Sequence, residues 1–127
     1  MSDPQNVALK LAAALTVLIA GAHSYLGERY VLMRLFRRGD LPKLFGGADF
    51  TKQTLRFAWH ITSVAWVGLG ALIAVMASGD VSTRILTGII AATFGMSGLI
   101  ALGASRGRHL SWIVFLSIAA LVWFGHP

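Results

Sequence analysis

Three histidines carry most of the chemistry this chain could do: His23, His60 and His109. Each lies about one helical turn from, or at, the basic end of an apolar run. Ser24, Glu28, Arg56, Ser63, Arg106 and Arg108 fall in the same layer. Neutral imidazoles on facing antiparallel helices suit the axial positions of a b-type haem. On that reading His23 and His60 hold the iron, with Arg56 or Arg34 at the propionates, and a quinone is the alternative redox partner. A metal site would draw on His23, His60 and His109, with Glu28, although the chain has no HxxxH or HxxE pair at ligand spacing. Glu28 with His60 could handle a proton or an anion. The plainest reading is structural: the histidines hydrogen-bond across helices, and Glu28 pairs with Arg56, Arg106 or Arg108. Such interhelical contacts contribute on the order of 1 kcal/mol each.

Hydrolysis finds less support. Ser24 adjoins His23, but neighbouring side chains on a helix do not face each other. There is no Gly-x-Ser-x-Gly motif and no phosphate-cradling loop. Cysteine is absent, which excludes disulfides, thiolate metal sites and cysteine nucleophiles.

The elements that must position these residues are apolar. Of 127 residues, 56% are hydrophobic and 13% are charged, about half the charge of an ordinary soluble domain. The runs 7–27, 57–77, 85–104 and 110–125 are too long and too poorly alternating for barrel strands. They predict an all-α integral-membrane bundle of four transmembrane helices forming one domain, residues 1–127. A span needs about 20 residues, so the last run is short and calls on His109 and His126 at its flanks or on a thinned bilayer. The first run lacks a small-residue cleavage site and reads as a retained helix, with Pro4 suited to its first turn. On the first run Thr16, Ala20, His23, Gly27 and Tyr30 share a face. On the second, Arg56, His60, Ser63 and Val67 do.

Charge sets the expected orientation. The connectors 28–56 and 105–109 carry nine basic residues, against Lys10 and Arg84 on the other side. The positive-inside rule then puts both basic loops in the cytoplasm and both termini outside. Net charge +6 follows from this and from attraction to anionic lipid, not from nucleic-acid binding. Trp59 and Trp112 are expected near the cytoplasmic edge, and Trp66 deeper as a packing residue. In the loop 28–56 the first helix is expected to run on past the membrane edge. Gly39-Asp40-Leu41-Pro42 predicts a turn, and Asp49 or Thr51 a cap for the second helix. The loop reads best as a connector lying on lipid.

Gly88, Ala91, Ala92, Gly95 and Gly98 predict a close-packing stripe on the third span. It serves either the chain's own helices or a seam with another chain. Gly68-Leu69-Gly70 reads as packing.

The stretch Ala22-His23-Ser24-Tyr25-Leu26-Gly27-Glu28-Arg29, with Leu41-Pro42-Lys43-Leu44-Phe45-Gly46 and Phe57-Ala58-Trp59-His60, resembles a family of short four-helix proteobacterial inner-membrane proteins with no assigned activity. The resemblance covers about the first half of the chain and implies a multi-pass protein of the bacterial inner membrane. The expected function is an accessory subunit or homo-oligomeric interaction protein without catalysis, alone or in a larger membrane complex. The alternatives are a redox module carrying haem or quinone near His23 and His60, and an ion or solute pathway formed by an oligomer.

Overall fold

The computed structural model describes residues 3–125. Among these there are four helices and no strand. We label them α1, Pro4–Leu35; α2, Asp49–Ser78; α3, Thr83–Ser105; and α4, Ser111–Phe124. The first three are long and apolar enough to cross a membrane. The 14 residues of α4 rise only about 21 Å, short of a hydrocarbon layer of about 30 Å. Its last residues, Trp123 and Phe124, border Gly88, more than a turn short of the start of α3. His126, expected at the flank of this run, lies outside the described residues.

Local chemistry explains most of the helix ends. The Asp3 carboxylate accepts the Gln5 N–H beside Pro4, and the Ser82 hydroxyl accepts the Ile85 N–H. The start of α2 differs from expectation. Ala48 holds the cap position without a side-chain bond, and Asp49 stands in the first turn, where the helix dipole favours a carboxylate. The Thr51 hydroxyl instead donates to the Pro42 carbonyl (2.8 Å), tying the loop down. Gly79, with φ 75°, ends α2 in the left-handed region that glycine enters freely.

The four helices do not close into the bundle expected from the sequence. Each packs only on its neighbours in the chain: α1 on α2, α2 on α3, α3 on α4. Small residues on opposite faces are the physical reason. A Cβ on Gly70 would press on Ala13, Thr16 and Val17 of α1, and one on Gly68 would overlap Thr93 of α3. Two residues advance a helix by about 200°, so these two approaches lie on opposite sides of α2. On α3, Thr93 and Gly95 repeat that offset: Gly95 lies against Ala119, and Gly98 leaves room for Leu116. The result is a curved row, with α2 as the floor between α1 and α3.

The stripe on α3 is therefore used within the chain. Ala91, Gly95 and Gly98 serve the contact with α4, while Gly88 has open space where a side chain would stand. Ala92 turns partly to the opposite face, toward α1.

Both basic loops sit at one end of the row, where His109 lies against Phe50 and Phe57. In the long loop the chain reverses tightly at Leu44–Gly47, with Phe45 (φ 56°) and Gly46 (φ 89°) both left-handed. Phe45 is 83% exposed at the tip.

Candidate functional site

The site begins with an irregularity in α1. From Gly27 to Leu32 the backbone takes the wider π-helical pattern before returning to α at Met33. Trp59 of α2 lies where the helix widens. Its indole occupies the space a Cβ on Gly27 would need, and its Nε1–H donates to the His23 carbonyl at 2.9 Å. A side chain entering the hydrogen-bond ladder is a known cause of such a bulge. The extra residue in the turn rotates everything beyond it. Tyr30, expected on the face of Thr16, Ala20, His23 and Gly27, is turned out and 49% exposed.

His23 and His60 do share one layer, and serines link them. The His23 ring lies flat on Trp59 (centroids 4.5 Å, 10°) and tilted against Trp66 (4.8 Å). Its Nδ1 is 3.2 Å from the buried Ser63 Oγ. The Ser24 hydroxyl reaches Ser63 Oγ at 2.8 Å and His60 Nδ1 at 2.9 Å. His60 Nε2 is 3.2 Å from Glu28 Oε2. Arg56 completes the chain: its Nη2 lies 2.8 Å from Glu28 Oε1 and its Nε 3.2 Å from Oε2. The Arg56 guanidinium also covers the Phe36 ring at 5.0 Å. Of the three partners expected for Glu28, the structure selects Arg56. Arg106 takes a left-handed conformation (φ 51°) that ends α3, and neither it nor Arg108 reaches Glu28.

Hydrogen-bond capacity constrains the protons. One Ser24 hydroxyl cannot donate to His60 and to Ser63 at once. With His60 neutral and its Nε2–H on Glu28, Nδ1 accepts from Ser24. With His60 charged, both ring nitrogens donate, and the Ser24 hydroxyl is released toward Ser63. Every polar group of the network keeps a partner in either arrangement.

The order serine, histidine, carboxylate also invites comparison with a nucleophile centre. Acyl transfer further needs donors aimed at a developing oxyanion. Ser24 sits inside α1, where neighbouring N–H groups are spent on the helix ladder. Haem ligation does not suit this geometry either. Both His60 nitrogens face protein partners, and the His23 ring lies flat on the Trp59 indole, which covers one of its faces. His109 stands apart, with Nδ1 2.8 Å from Ser111 Oγ. Among the described residues no three His, Asp or Glu side chains converge as a metal ion would require.

Two roles escape a reading of the sequence. Ser24 belongs to the polar layer by position, but its adjacency to His23 hides its partner, which is His60 on the next helix. Its i, i+4 spacing to Glu28 was the available signal. Trp59 reads as an interfacial anchor, but it organises the bulge.

Below the polar layer lies a groove of about 580 Å³, with α2 as floor and α1 and α3 as walls. Ser24, His60 and Ser63 stand at its head. Gly21, Val67, Ala71 and Met96 are among the residues lining its apolar length. Comparison with known protein families, with curated proteins and with solved structures finds no match.

Proposed function

We propose that this chain is a small, multi-pass protein of the bacterial inner membrane that binds a lipid-soluble ligand without catalysis. The observation that carries this is the groove: apolar along its length, with hydrogen-bonding groups concentrated at one end. Sites for small molecules commonly combine apolar walls with a few placed polar groups. The ligand's head accepts from the Ser24 hydroxyl, which turns toward it from its protein partner beside His60, and its chain lies along Val67 and Met96. A quinone carbonyl satisfies this chemistry as well as a lipid ester does. The polar network stops at His23 and Ser63 and does not continue down the groove, which favours binding over conduction of ions.

The test is extraction of the purified protein with organic solvent, followed by mass spectrometry of what it carried. Gly21 borders the groove with open space where a side chain would go. The Gly21→Leu variant should therefore fill the groove, keep the melting temperature and lose the ligand. Equal cargo in the two proteins would overturn the reading.

A second reading, an accessory subunit or homo-oligomer, has its own observation. The helices form an open row, and α1 and α4 each have a single helical neighbour.

A further inference from the structure

Beyond the polar layer, α1 continues as Tyr30-Val31-Leu32-Met33-Arg34-Leu35. Arg29, Arg34 and Arg37 stand around a basin of about 310 Å³ with Tyr30 and Met33. Tyr30 ends up beside Met33 and Arg34 through the π turn, and Arg37 joins them from the turn that follows α1. Arg29 and Arg34 lie beside the same Tyr30 ring, their guanidinium carbons 5.9 and 5.7 Å from its centre. Nearby Arg38 is taken by Asp40 (2.7 Å), and Arg56 by Glu28. Among the described residues Arg29, Arg34 and Arg37 have no acidic partner, so three guanidinium groups converge without a counter-charge.

The basin is not isolated. A cavity of about 510 Å³ joins it to the groove, sharing Arg29 and Met33 with the basin and Gly21, Ser24 and His60 with the groove. The track therefore runs from an apolar length, past hydroxyl and imidazole groups and the Glu28 carboxylate, whose charge Arg56 offsets, to three unpaired cations. Guanidinium groups bind phosphate oxygens in paired hydrogen bonds.

We infer that the ligand of the proposed site is a phosphate-bearing amphiphile of net negative charge. Its phosphate sits among Arg29, Arg34 and Arg37, its ester or hydroxyl region lies at Ser24 and His60, and its chain fills the groove. This rests on the groove's being a lipid site and names the class of lipid.

The experiment uses the full chain in phosphatidylcholine nanodiscs. Two photoreactive probes carry the same diazirine acyl chain, one on phosphatidic acid and one on diacylglycerol. Phosphatidic acid should label groove peptides containing Val67 and Met96 more strongly than diacylglycerol. Each of Arg29→Gln, Arg34→Gln and Arg37→Gln should weaken its labelling about fivefold, the attraction expected of one cation for an anionic headgroup. All three arginines are exposed, so melting temperatures should hold. Added inorganic phosphate should compete only weakly. If it abolishes the arginine dependence while the chain still labels, the basin binds a free anion, and the single-ligand inference falls. Equal labelling by both probes, unaffected by the arginine variants, overturns the phosphate while leaving the groove as a site for neutral lipid. If neither probe labels the groove, both this inference and the proposed lipid site fall.

Discussion

Glu28 holds the polar layer together, because it alone carries negative charge there. It accepts from Arg56 twice and faces His60, while about a third of its side chain remains exposed. The Glu28→Gln variant keeps the shape but leaves the Arg56 charge uncompensated. Its melting temperature in detergent should fall, by about 1 kcal/mol of stability given the partial exposure. An unchanged melting curve would argue against the pairing. Gly27 gives a second, sharper test. A methyl group there meets the Trp59 indole, so Gly27→Ala should destabilise the protein. In a Trp59→Leu background the obstruction is gone, and alanine's better helix propensity should make the same change neutral or stabilising. The double-mutant cycle should then show coupling of at least about 0.5 kcal/mol, and additive effects would separate the two residues. These residues mark how much of the site was legible. Helical spacing was enough to place His23, His60 and Ser63 in one layer and to bring Arg56 within reach of Glu28. It could not reveal the π turn, since that depends on a tryptophan from another helix. Nor could it show that Ser24 answers His60 rather than His23.

At the scale of elements, close approaches between helices decide the architecture. In lipid the hydrophobic effect does not draw helices together, so small residues that let backbones approach count for more. The two glycines tested here are three residues apart and should behave oppositely. Gly98 has Leu116 where its side chain would go, so Gly98→Ala forces α3 and α4 apart and should cost about 1–3 kcal/mol. Gly95 has Ala119 at ordinary contact distance, 3.8 Å, so Gly95→Ala should gain up to about 1 kcal/mol from helix propensity. Thermal melts in one detergent compare them directly, and equal losses would remove the distinction. The apolar runs located all four helices because run length against membrane thickness is a coarse and strong signal. Small residues along α3 revealed that something packs closely. They could not say that the partner is α4, because the stripe has the same composition whether it meets its own chain or another. The row rather than a bundle was likewise hidden. It follows from which face each glycine occupies relative to its neighbour, a relation between helices that no single helix encodes.

For the molecule as a whole, orientation and assembly each follow from a feature of the row. Both basic connectors lie at the end where His109 meets Phe50 and Phe57, so one measurement orients the protein. The chain has no cysteine. Single cysteines at Gly46 and Ser82 should then label from the cytoplasmic and the outer side respectively, and reversed access would invert the topology. Assembly turns on the open row. Leu11, Leu15 and Leu18 on α1 and Leu121 on α4 are more than half exposed, but lipid tails solvate such residues as well as a protein does. Exposure alone therefore gives no reason to associate. What favours association is backbone left accessible beside small side chains, and the row has that in the groove at Gly21 and Ala71 and at Gly88 on α3. If lipid fills the groove, the open glycines left on α3 are Gly103, near its basic end, and Gly88, which lies deeper in the span and which α4 is too short to cover. Native mass spectrometry from nanodiscs should show dimers or a co-purifying partner. Gly88→Leu should abolish them, while Gly21→Leu should leave them intact. Loss with Gly21→Leu instead would mean that another helix, not a lipid, occupies the groove. A monomer at every concentration, with no partner retained, would leave α1 and α4 as edges that only lipid covers.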